Sequence, residues 1–152
     1  MKRLAGFTFI ELLIALMISG ILFSGGIAAY RGIGVRQDLK QAGIEFQSNL
    51  RLIQEKTLSS KKPTECDVLL GYEVSYVDDN TYSMKPVCQN GASVSTDIDL
   101  QEGISFGGVF SKISFFVLKA EITGAQTITL TSSSLQYQVI IESSGVIRGG
   151  ML

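Results

Sequence analysis

Hydrophobic and polar positions follow three rhythms along this chain. From Phe7 to Tyr30 the run is almost uniformly apolar, with Glu11 and Tyr30 its only ionisable side chains. That predicts a helix apolar on every side. At about 1.5 Å per residue it is long enough to cross a hydrocarbon core of about 30 Å. From Val35 to about Leu58 the period becomes three or four. Val35, Leu39, Ala42, Phe46, Leu50 and Ile53 share a stripe, while Asp38, Lys40, Glu45, Arg51, Glu55 and Lys56 fall mostly on other faces. This predicts a continuing amphipathic helix, stopped by Ser59-Ser60-Lys61-Lys62-Pro63.

Beyond Pro63 the period drops to two. Residues 72–77 and 81–87 read as a hairpin around the turn Asp78-Asp79-Asn80. Further strands are predicted at 98–100, 104–106, 113–118, 127–131, 135–141 and 146–148. Ile128 and Leu130 oppose Thr127, Thr129 and Thr131; Leu135, Tyr137, Val139 and Ile141 oppose Gln136, Gln138 and Glu142. Such alternation suits antiparallel strands with one buried side. Pro86 marks an edge position. The expected fold class is α+β, with the second half of the helix packed on an antiparallel sheet.

Composition narrows the function. Among 152 residues there is no histidine and there are only two cysteines. The commonest general base and the commonest zinc ligands are therefore missing. Neither "GGVFSK" nor "SGGI" has the Gly-Lys-Ser/Thr ending of a phosphate loop. Asp78, Asp79, Asp97 and Asp99 read as solvated turn and strand-edge acids rather than calcium ligands. No enzyme activity, metal or cofactor is expected. Thirteen basic against fourteen acidic residues, net −1, does not indicate nucleic-acid binding. Cys66 and Cys88 fall at the same open end of the hairpin. Outside the cytoplasm they read as a disulfide closing a loop of about 20 residues; the other reading is two unrelated buried thiols.

Glu11 is the anomaly, because a carboxylate at membrane depth costs about 2.5–3.5 kcal/mol on insertion scales. A plain anchor leaves it unexplained. So does a secretory signal peptide with an apolar core at 12–18 and a cleavage site at Ile27-Ala28-Ala29. Lys2 and Arg3 favour a cytoplasmic N-terminus, although Arg31 and Arg36 at the other end weaken that bias. Small residues are also frequent: Ser19, Gly20, Ser24, Gly25 and Gly26. Each glycine costs a helix interior about 1 kcal/mol relative to alanine, so any kink or local melting is expected at Gly25-Gly26.

The stretch Gly6-Phe7-Thr8-Phe9-Ile10-Glu11, continuing as "LLIALMISGIL", resembles the processing segment of type IV pilins and type II secretion pseudopilins. The resemblance implies cleavage by a prepilin peptidase after Gly6 and methylation of a new N-terminal Phe7. It also implies a pairing of Glu11 with an N-terminal amine, within one chain or on a neighbouring subunit. Phe9 stands where that family more often has Leu. The implied organisation is a leader (1–6), a transmembrane and assembly helix (7–30), an amphipathic helix (31–60) and a β-rich globular domain (61–152): a pilin-like lollipop. The β region is most similar to H-type minor pseudopilins and FimT-like minor pilins, through "ISFFV" and "SSGVIRGG". The implied function is a structural, minor filament subunit. Its partners would be the peptidase, other pilin or pseudopilin subunits, the inner-membrane assembly platform and, before assembly, membrane lipid. The chain would sit in the bacterial inner membrane with its globular domain outside the cytoplasm, and then in a periplasmic or extracellular filament. A membrane-tethered or secreted β-domain for adhesion or DNA binding is the alternative.

Overall fold

The computed structural model describes residues 8–91, 94–118 and 122–152, with side chains throughout those ranges except at 23–33. A single helix among them, α1, runs over Phe9–Leu58. The chain divides into two compact units, Met1–Arg36 and Gln37–Leu152.

In the second unit the helix is followed by nine strands. These are β1 (Leu69–Tyr76), β2 (Thr81–Cys88), β3 (Thr96–Asp99), β4 (Ser105–Phe106), β5 (Ile113–Phe116), β6 (Ile122–Thr123), β7 (Gln126–Ser132), β8 (Leu135–Ile141) and β9 (Ile147–Met151). The α+β class holds, but the strands form two antiparallel sheets rather than one. Their orders are β3-β2-β1-β5-β6 and β4-β7-β8-β9. Alternation along a strand shows which face is buried, not which strand lies beside which, so the division was not visible in the pattern.

The helix stripe is the centre of the core. Leu39, Ala42, Phe46, Leu50 and Ile53 are all buried; Val35, in the first unit, is half-buried. Phe46 meets Tyr82 of β2 edge-on at 4.9 Å and Phe106 of β4 at 5.6 Å. One aromatic residue thus touches both sheets. Offset and edge-on ring pairs of this kind add about 0.5–1.5 kcal/mol beyond the area they bury. Ile128, Leu130, Tyr137, Val139 and Ile141 are buried as the alternation predicts.

Polar contacts fix the helix against both sheets. Asn49 Nδ2 donates to Tyr82 Oη (2.7 Å), and Gln47 Nε2 donates to Tyr137 Oη (2.6 Å). Arg51 donates to the Ile147 carbonyl and Gln54 to the Gly145 carbonyl, each at 2.9 Å. Gly43 makes the close approach possible, since a Cβ there would stand 2.3 Å from Tyr137 Cδ1.

These contacts also set direction. Gly145 lies beside Gln54, Ile147 beside Arg51 and Gly149 beside Gln47, so β9 runs opposite to the helix. Tyr72 of β1 donates to the Lys61 carbonyl just past the helix end, while Tyr76 pairs with Tyr82 at the level of Asn49. β1 therefore also runs opposite to the helix. So does β3, which is antiparallel to β2 as β2 is to β1.

Pro86 needs a correction. β2 is an interior strand, between β1 and β3. Its even-numbered residues turn their backbone groups toward β3, as the Leu100 N–H to Asn80 carbonyl bond shows. The last β3 pairing is Met84 with Thr96, so Pro86 lies beyond the end of β3, where a missing N–H costs no ladder bond. The two-residue β6 carries no sequence signal of its own and was not expected.

Candidate assembly site at the N-terminal helix

In the first unit, Thr8 stands just before the helix and Glu11 in its first turn. The Thr8 backbone N–H donates to Glu11 Oε2 at 3.2 Å and the Thr8 hydroxyl donates to the same oxygen at 3.1 Å. In return, the Glu11 N–H donates to Thr8 Oγ1 at 3.4 Å. This is a reciprocal capping box, in which two otherwise orphaned backbone donors at a helix start are satisfied by each other's side chains. Replacing such an N-cap by alanine usually costs about 0.5–2 kcal/mol. The carboxylate also sits where the positive end of the helix dipole favours it.

The amine expected to pair with Glu11 is that of Phe7, outside the described residues; among the described residues the Glu11 carboxylate bonds to Thr8 through Oε2. Glu11 Oε1 has no hydrogen bond among the described residues. The signal for the cap was present as Thr-Phe-Ile-Glu, the Thr-x-x-Glu spacing before an apolar run. Gly6 and Phe7 lie outside the described residues; α1 runs on through Gly25 and Gly26, within the stretch whose side chains are not described.

After the cap the helix is apolar on all sides. Every described side chain from Thr8 to Leu22 is exposed, from Phe9 at 80 % to Leu22 at 71 %. A helix apolar all round belongs inside lipid or inside other protein. Among the described residues no helix is long and apolar enough to cross a membrane. The apolar run described with its side chains stops at Leu22, before the length that a bilayer core requires.

The remaining candidates lie in the second unit. Cys66 and Cys88 are joined in a disulfide with Cα atoms 5.5 Å apart, both buried. Around it, Asp67 Oδ1 accepts the Val68 and Asn90 N–H groups, and Asn90 Nδ2 donates to the Glu65 carbonyl. The turn acids are used locally. Asp78 Oδ1 accepts the Asn80 N–H, which holds its carboxyl below the usual range. Asp79 accepts the Tyr76 hydroxyl, pushing that phenol up to about 12, and Asp99 accepts Thr81 Oγ1. Among the described residues no group of three or more acidic or cysteine side chains is arranged to hold a metal.

Residues 1–27 match the family model described as the prokaryotic N-terminal methylation motif. No match was found among curated proteins or among solved structures.

Proposed function

The prokaryotic N-terminal methylation motif is the signature of type IV pilins and pseudopilins, and from that premise we propose that this chain is a structural subunit of a type IV pilus or type II secretion pseudopilus. Prepilin peptidase cleaves after Gly6 and the new terminus, Phe7, is methylated. Residues 7–30 hold the chain in the inner membrane, with the β-rich part outside the cytoplasm. An assembly platform then moves it into a filament among related subunits.

The observation that carries this reading is the match over residues 1–27, with Glu11 capping a helix whose described apolar side chains from Phe9 to Leu22 are exposed. An exposed apolar surface of this kind suits either lipid or neighbouring helices, and a filament subunit uses each in turn. Glu11 Oε2 stays with Thr8 while Oε1, which has no hydrogen bond among the described residues, takes the charged amine. A dry pairing of that kind is better suited to fixing axial register than to adding stability.

The test is intact-mass and N-terminal analysis of the protein from its host. A chain beginning at methylated Phe7 is expected; one beginning at Met1 or near Tyr30 overturns the reading. Glu11→Ala is expected to insert into the membrane normally and to be depleted from filaments, so normal incorporation would refute the role given to the carboxylate.

A further inference from the structure

Two strand edges flank the helix of the second unit, and each leaves backbone groups without partners. On β9, the bonds from Leu152 N–H to the Gln136 carbonyl and from Glu142 N–H to the Val146 carbonyl show that even-numbered residues face β8. Ile147, Gly149 and Met151 therefore turn their N–H and C=O groups outward. The Ile147 carbonyl is taken by Arg51. Among the described residues no hydrogen bond reaches Gly149 or Met151 on that side. On β3, the Leu100 N–H to Asn80 carbonyl bond places the even-numbered residues toward β2. Asp97 and Asp99 therefore face outward, and no backbone bond reaches them there among the described residues.

The two edges differ in charge. β3 presents Asp97 and Asp99; β9 presents Arg148. Exposed edges with such unpaired groups are templates for a further strand, and charges on them select the partner. Pairing β3 with a second β3 would oppose aspartates to aspartates. Pairing β9 with β3 brings opposite signs together. Both strands run opposite to the helix, so two copies with the same polarity meet in parallel. Next to Arg148, the missing side chain at Gly150 leaves a shallow depression of about 340 Å3 beside Gln138, Ile140 and Leu152. Arg148 already pairs with Glu142, and the five donors of a guanidinium leave capacity for a second carboxylate.

We infer that the outer edge of β9 in one copy receives the outer edge of β3 in a second copy, with Asp97 or Asp99 entering the depression at Gly150 beside Arg148. Because the two surfaces differ, the contact repeats instead of closing on itself, which is the condition for an open polar assembly. This deepens the filament reading and takes its same-polarity arrangement from it.

The test uses two full-length copies with different tags, one carrying Gly150→Cys and the other Asp97→Cys, co-expressed and oxidised in membranes. A Cβ at Gly150 meets nothing within 4 Å, so that position accepts the probe. A mixed-tag disulfide dimer is expected, with its yield falling several-fold when Arg148→Glu is added to the first copy. Gly150→Cys homodimers alone would mean a closed two-fold contact and overturn the inference. No cross-link, with the Cys66–Cys88 bond intact in both copies, would overturn it as well. Failure here is separable from failure of the filament reading. Processed Phe7 with no mixed dimer removes only this contact, and a mixed dimer of unprocessed chains removes only the filament.

Discussion

Replacing glycine by alanine inside a helix ordinarily stabilises it by about 1 kcal/mol. At Gly43 the sign reverses. The new methyl would stand 2.3 Å from Tyr137 Cδ1, 2.4 Å from Cε1 and 2.7 Å from Cγ, so the whole ring must move. Overpacking of this kind costs about 1–3 kcal/mol. Moving the ring also breaks the buried 2.6 Å bond from Gln47 to the Tyr137 hydroxyl, although Gln47 Nε2 keeps its bond to the Gly43 carbonyl, so the loss is that of one hydrogen bond, about 0.5–1.5 kcal/mol. Subtracting the propensity gain of about 1 kcal/mol leaves a net loss of about 2 kcal/mol. For a domain of roughly 100 residues that lowers Tm by about 8 °C. The assay is thermal unfolding followed by tyrosine fluorescence, since the chain has five tyrosines and no tryptophan. A Tm equal to or above the parent value would refute the packing account. A sharper form uses a Tyr137→Leu background, where the ring is gone. There Gly43→Ala should become neutral or stabilising, and persistent destabilisation would show that the ring is not the cause.

Removing the disulfide by Cys66→Ser with Cys88→Ser should lower stability by about 3 kcal/mol, the loop-entropy value for a loop of this size; denaturant titration checks it, and an unchanged midpoint refutes it. The buried Tyr82 phenol is pushed up to about 12, mainly by burial. A folded value above the unfolded one gives a contribution that is complete below pH about 10 and is lost as pH rises toward about 12. Stability measured across that range should therefore fall in the parent and fall less in Tyr82→Phe; parallel curves would remove Tyr82 as the cause.

The helix stripe was legible because a 3.6-residue period is a local property. Leu39, Ala42, Phe46, Leu50 and Ile53 share one face by that period, and all five are buried. The β7–β8 hairpin was equally legible from its alternation. The split into two sheets was not, since it depends on β4 pairing with β7 across a gap in sequence that no local pattern encodes. Buried polar positions were missed for a related reason. Gln47 and Thr57 look like surface residues, but Gln47 reaches Tyr137 and Thr57 bonds back to the Ile53 carbonyl. At the candidate site, the Thr8–Glu11 box was written in the sequence as a spacing. The expectation of a charge pair at Glu11 left the hydrogen-bond role of Thr8 unread.

The disulfide has a mechanical consequence. The strands of the second unit run along the helix, so a pull along the helix axis loads their hydrogen bonds in shear, where neighbouring bonds must give way together rather than one after another. Cys66 follows the helix end by eight residues and its partner Cys88 ends β2. A pull delivered through the helix therefore passes covalently into β2, bypassing the loop and the β1–β2 ladder. Forced unfolding is governed by the unfolding barrier rather than by equilibrium stability. The bond thus raises the resistance of this unit to unfolding under a load applied through the helix more than its few kcal/mol of equilibrium stabilisation would indicate.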